Sequence, residues 1–156
     1  MWNVRFARLG FAILGWLFVA LTFVQVYLAG TAVEQLGGTK DFSTHQAMGF
    51  VIMIIALVLL LLSFTARLPV KMAAASALLL ALMIVQSILV RMVPPNLEAL
   101  HPVNGFLIAL LGLWVAWRGL SFIRAPLPVE PERPVPAPAT VPPAPEPHEP
   151  KEDDQL

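Results

Sequence analysis

The eighteen residues from Ala47 to Phe64, AMGFVIMIIALVLLLLSF, carry no charge, no proline and a single glycine near their start. A helix that crosses the apolar core of a bilayer needs about 20 largely apolar residues, with a range of ~17 to 25. Nothing in that core can satisfy a free backbone N–H or C=O, so a segment of this kind must be a helix that pairs its own. Working outward, three more charge-free apolar runs flank it: Leu9 to Gly30, Met72 to Val90 and Val103 to Trp117. The last is short by itself, but Arg118 can snorkel and Gly119 to Ile123 carries the apolar character onward. The spans are read as residues 9–30, 45–64, 72–91 and 101–122, joined by connections short enough for antiparallel neighbours. The fold class is therefore all-α, a polytopic membrane four-helix bundle occupying residues 1–124.

Composition points the same way. The 156 residues are 58% hydrophobic and only 13% charged, against roughly 25% charged in a soluble domain. Of the ten acidic residues, seven (Glu130, Glu132, Glu146, Glu149, Glu152, Asp153 and Asp154) fall in the last 27 positions, so a net charge of zero averages two unlike segments. Cysteine is absent, which excludes disulfides, thiolate metal sites, covalent c-type haem attachment and a cysteine nucleophile. Residues 125–156 are rich in proline with Ala, Val and Glu between, a pattern with nothing to bury that favours extended, disordered chain. Two roles for this tail stand open, a solubilising spacer and a docking segment for a cytoplasmic protein that recognises proline.

Arg5 and Arg8 before the first run resemble the start of a secretory signal, but a signal's apolar region is only about 7 to 15 residues and Leu9 to Leu28 exceeds it. The first run is kept as a retained helix. Six cations (Arg5, Arg8, Arg67, Lys71, Arg118 and Arg124) flank the spans on one side and two (Lys40 and Arg91) on the other. That asymmetry expects both termini in the cytoplasm and the chain in the inner (plasma) membrane.

The spans also read as two copies of one hairpin. Gln25-Val-Tyr-Leu28 near the end of the first run matches Gln86-Ser-Ile-Leu89 near the end of the third. His45-Gln-Ala-Met-Gly49 opens the second span and His101-Pro-Val-Asn-Gly105 opens the fourth. Two hairpins of the same direction form a parallel repeat whose pseudo-two-fold axis runs along the membrane normal. His45 and His101 then become symmetry mates at one depth. Gly49 and Gly105 lie one helical turn beyond them on the same face. On the fourth span Ala109, Gly112 and Ala116 continue the small stripe, which suits either close helix packing or room for a flat macrocycle.

Ionisable groups inside membrane helices tend to face the bundle and carry function. Two neutral imidazoles can hold haem iron from opposite sides, and four helices supply a dry pocket, so His45 and His101 are the candidate metal ligands of a b-type haem. Gly49, Gly105, Gln25 and Gln86 are the candidate residues around it, the glutamines reading equally as interhelical hydrogen-bond bridges. A zinc or copper site would need Met48, Asp41 or Glu98 to complete its shell. Asp41 and Glu98 are candidate carboxylates for orienting an imidazole, or else helix-start residues beside a Ser43/Gln46 capping box and an Asn96 cap. The competing reading is a cofactor-free structural or accessory membrane subunit. Trp2, Trp16, Trp114, Trp117 and Tyr27 are read as interfacial anchors. No acid–base pair, phosphate loop or basic nucleic-acid patch appears, so neither independent catalysis nor nucleic-acid binding is expected. The expected partners are the lipid bilayer and a membrane redox partner or larger membrane complex.

The motifs Gln25 to Gly30, His45 to Gly49, Gln86 to Leu89 and Leu100 to Gly105 resemble those of a family of uncharacterised small four-helix bacterial membrane proteins, over about residues 10–120. More distantly, the arrangement is similar to one four-helix half of the haem A synthase family, in which histidines of the second and fourth helices hold haem near the outer face. His45 and His101 occupy the matching positions. This chain has one such unit, no outer cysteine pair, and HxxxG in place of that family's fuller motifs. The resemblance therefore implies electron transfer or haem handling rather than haem oxidation.

Overall fold

The computed structural model describes residues 2–91, 94, 97 and 99–126. Four long helices account for most of them: α1 (Trp2–Ala32), α2 (Ser43–Thr65), α3 (Val70–Arg91) and α4 (Leu100–Ile123). No strand occurs among the described residues. Each helix is long and apolar enough to cross a membrane. The first begins seven residues before its apolar run, because Trp2 to Arg8 contains no breaker and the helix simply continues through the two arginines. From residue 127 the proline-rich tail lies outside the described residues, as do Asn96 and Glu98.

Every helix packs on two neighbours, α1 on α2 and α4, and α3 on α2 and α4, which closes a square with α2 and α4 on one diagonal. The side chains that fill it recur every seven residues. They are Phe11 and Phe18 on α1, Ile52 and Leu59 on α2, Met72 and Leu79 on α3, and Ile108 and Val115 on α4, all buried in one cluster. A seven-residue seam keeps the same stripe of each helix turned to the bundle axis. Extending each stripe by one more heptad toward the same end arrives at Gln25, His45, Gln86 and His101. The polar level is thus part of the core register.

The outside is of another kind. Phe23, Phe50, Phe64, Phe106 and Trp117 stand 63–71% exposed along the helix flanks, a surface suited to lipid chains and not to water. Trp16 lies mid-helix rather than at an end of α1, so it is a lipid-facing side chain and not an interfacial anchor. Since lipid is as apolar as leucine, burial alone does not draw such helices together, and close contact must. The small stripe of α4 provides it: Gly112 receives the ring of Phe18, where a Cβ would stand 2.7 Å from Cε1, and Ala116 lies against Gly15. The lower stripe is a packing surface for α1.

The helix ends are closed by local chemistry. Beyond Ala32 the chain turns back through Gly37, at φ 80°, and the amides of Gly38, Thr39 and Lys40 bond the carbonyls of Val33, Thr31 and Ala32. At Gly38 a Cβ would meet two carbonyl oxygens at 2.6 Å, so this residue must be glycine. The start of α2 differs from the capping box expected of Ser43 and Gln46. Instead Asp41 Oδ1 accepts the Ser43 amide at 2.8 Å, which holds its carboxyl below the usual carboxylate range. Asp41 is thereby committed to the helix start and does not orient His45.

At the opposite end from the histidines, Arg8 is 3% exposed. Its Nε donates to the carbonyl of Ala66 at 3.2 Å, and Nη1 donates to Phe122 at 3.2 Å and Ala125 at 2.7 Å. Ala66 and Ala125 lie just past the ends of α2 and α4, and the Phe122 carbonyl also takes the Ala125 amide at 3.3 Å, so the guanidinium sits at the negative end of both helix dipoles. Replacing Arg8 by Met is expected to lower stability by about 3 kcal/mol, since leaving a buried acceptor unpaired costs ~1–3 kcal/mol. Arg8→Lys should lose less, keeping the charge but not the fork. Thermal unfolding in detergent measures both, and an unchanged R8M midpoint would contradict this role.

Candidate functional site

Four polar side chains make one level at the far end of the bundle. Gln25 comes from α1, His45 from the first turn of α2, Gln86 from α3 and His101 from the first turn of α4. All four are half-buried. Pro102 falls in the first turn of α4, where a missing N–H costs no helical hydrogen bond.

Each glutamine reaches across to the histidine of the next helix. Gln25 Nε2 donates to the His45 carbonyl at 2.8 Å and stands 3.4 Å from His45 Nε2. Gln86 Nε2 donates to the His101 carbonyl at 3.0 Å and stands 3.1 Å from His101 Nε2. The glycines explain how an amide comes so close to a neighbouring backbone. A Cβ on Gly49 would lie 3.0 Å from Gln25 Nε2, and one on Gly105 would lie 3.4 Å from Gln86 Nε2. HxxxG is therefore a seat, with the glycine one turn beyond the histidine vacating the volume into which glutamine reaches.

The two rings meet across the diagonal of the square. The centroids of His45 and His101 are 6.2 Å apart, with their planes at 58°. Phe42 lies edge-on to His45, also at 6.2 Å. His45 Nδ1 is 3.1 Å from the backbone carbonyl of Gln25. A carbonyl only accepts, so Nδ1 carries the proton and Nε2 keeps its lone pair. That carbonyl, and not Asp41, orients the His45 ring.

The second half holds a residue whose role the motif alone did not disclose. Asn104 is 7% exposed, and its Nδ2 donates to the Leu82 carbonyl at 2.9 Å and to Gln86 Oε1 at 2.6 Å. In the first half Met48, three residues after His45, stands where Asn104 follows His101, and Gln25 Oε1 is buried with no partner. His101 Nδ1 is likewise buried without one. An asparagine within an otherwise apolar membrane run was the available signal for Asn104. Arg8 gave no such signal, because a cation beside a span ordinarily snorkels outward.

Among the described residues no group of three or more His, Cys, Asp or Glu assembles. The donor set is two imidazoles with amides around them. Fold and polar level together describe a four-helix bundle fitted to a membrane and carrying a His–Gln layer at one end. A family model described as a family of unknown function (DUF6220) matches residues 25–93. That stretch begins at Gln25 and takes in His45, Gly49 and Gln86, so the chain is similar to this family over its two central helices. No curated protein and no solved structure matches the chain.

Gly49→Ala is expected to be the more harmful of the two seat substitutions, displacing Gln25 and costing about 1–3 kcal/mol as overpacking does, with Gly105→Ala milder. Comparing the thermal midpoints of the two variants tests the order, and a G105A protein less stable than G49A would reverse it.

Proposed function

We propose that His45 and His101 hold a b-type haem between them, one ligand from each of two equivalent hairpins, and that the protein serves electron transfer or haem handling in the membrane. The observation that carries this reading is the separation of the rings. The two imidazoles meet across the bundle with their centroids 6.2 Å apart, close enough that His45 and His101 would hold one group together.

Further features support it. His45 donates Nδ1–H to a carbonyl, the outer contact that sets a metal-binding imidazole and leaves Nε2 its lone pair. Gly49 and Gly105 carry no side chain of their own beside the rings, so only the Gln25 and Gln86 amides would have to move for a group to enter there. Two buried polar atoms at this level, Gln25 Oε1 and His101 Nδ1, await partners. Such a group would supply reversible one-electron chemistry. The chain's own part is to present the two imidazoles and exclude water with Phe18, Ile52, Leu79 and Ile108 beneath. The cation bias supports an inner-membrane chain whose termini and Arg8 end face the cytoplasm, with the His–Gln layer toward the outer face.

One observation favours a cofactor-free packing role instead: the glutamine amides already occupy the glycine seats and approach both Nε2 atoms. The absorption spectrum of protein purified after haem-replete expression separates the two readings. A reduced α-band is expected on dithionite addition, lost in both His45→Ala and His101→Ala. No band in the parent, or a band that survives removal of both histidines, would exclude haem here.

A further inference from the structure

We infer that Asn104 is a positioning residue that acts through Gln86 to set which nitrogen of His101 carries the proton. Only the use made of that nitrogen, as a ligand, rests on the haem reading above. The argument is one of donors and acceptors. The Leu82 carbonyl can only accept, so the end of the Asn104 amide lying 2.9 Å from it must be the NH2. The same NH2 lies 2.6 Å from Gln86, whose facing atom must then be the acceptor Oε1. This turns Gln86 Nε2 the other way, toward the His101 carbonyl at 3.0 Å and the His101 ring at 3.1 Å. An NH2 that faces a ring nitrogen needs a lone pair there. His101 Nε2 is therefore bare and the proton sits on Nδ1, the atom that is buried without a partner.

The other half has the same glutamine contact, Gln25 Nε2 at 3.4 Å from His45 Nε2, and adds a second hold on the tautomer that His101 lacks. His45 Nδ1–H is fixed by the main-chain carbonyl of Gln25, which no side-chain substitution removes. Its neighbour Met48 has no amide, and Gln25 Oε1 is correspondingly unpartnered. Both rings thus keep a lone pair on Nε2 that faces a glutamine amide, the His45 tautomer held by backbone as well and the His101 tautomer by the side-chain relay alone. Only His101 should respond to position 104.

The test is a long-range proton–nitrogen NMR spectrum of the full chain, ring-labelled with 15N-histidine, in detergent and without haem. His148 gives the third signal, assigned by His148→Ala. Wild-type His45 and His101 are both expected with Nδ1 protonated and Nε2 bare. Asn104→Met should change the tautomer ratio of His101 roughly fivefold, the scale of one net hydrogen bond, with His45 unmoved. Asn104→Leu, of similar volume and with no donor, should move the His101 ratio in the same direction. Met48→Leu should leave both rings unchanged. The wild-type spectrum alone overturns the proposal if His101 carries its proton on Nε2, so it stays testable even where a variant fails to fold. An unmoved His101 ratio in folded N104M and N104L overturns it too. A wild-type protein that lacks the reduced α-band yet shows these tautomers would remove the haem reading and leave the relay standing.

Discussion

A glutamine amide donating to the backbone carbonyl of a histidine on the adjacent helix is the contact on which the rest of this bundle turns. It occurs twice, Gln25 to His45 and Gln86 to His101. Interhelical hydrogen bonds in membranes are worth only about 0.6 kcal/mol on average, so the pair matters less for stability than for register. A slip of α1 against α2 by one helical turn, about 5.4 Å, would strand an amide in apolar surroundings and drive it into a side chain instead of Gly49. The heptad seam of Phe11, Phe18, Met72 and Leu79 is apolar and would tolerate sliding far better. The glutamines fix where along the helices that seam must stop.

Arg8 fixes the other end by a different kind of bond. Its guanidinium ties α1 to the last carbonyls of α2 and α4, the same diagonal pair that carries the histidines. The two polar levels therefore act on the same helices from opposite ends. Between them Phe18 and Phe11 lean on Gly112 and Gly119. The separation of the His45 and His101 rings is accordingly set by the whole length of α2 and α4, through contacts at both ends and the middle.

The spans, the histidines and their glycines were legible in the sequence because each is a spacing: apolar runs of membrane length, and residues four apart on one face. The boundaries moved where the deciding residue was not apolar. α1 extends back to Trp2 because Arg5 and Arg8 favour helix as well as any apolar residue does. Arg8 was legible only as a flank charge, since its burial depends on three carbonyls from segments 58 to 117 residues away. Asn104 stood in plain sight within its motif, but its partners Leu82 and Gln86 lie on another helix. Of the two readings open for Asp41, orienting His45 or starting the helix, the structure has the second, because the chain at that point is not yet helical and the carboxylate takes the nearer amide of Ser43. Glycine was read as space. The structure adds what fills it: an amide at Gly49 and Gly105, a phenylalanine ring at Gly112.

The difference between the two halves bears on what the histidines are for. Were the polar level only a packing device, matched amide networks would serve each hairpin equally well, and an unpartnered acceptor at Gln25 would be a cost with no return. Instead one ring is held by a carbonyl and the other by an asparagine relay, and both end with Nε2 bare. Both Nε2 lone pairs face only a glutamine amide, a neutral donor that a bound group could displace. Buried acceptors and donors left without partners are then places where a bound group completes the network. A level built this way lowers the cost of admitting a ligand, because the groups that must face it have already given up water.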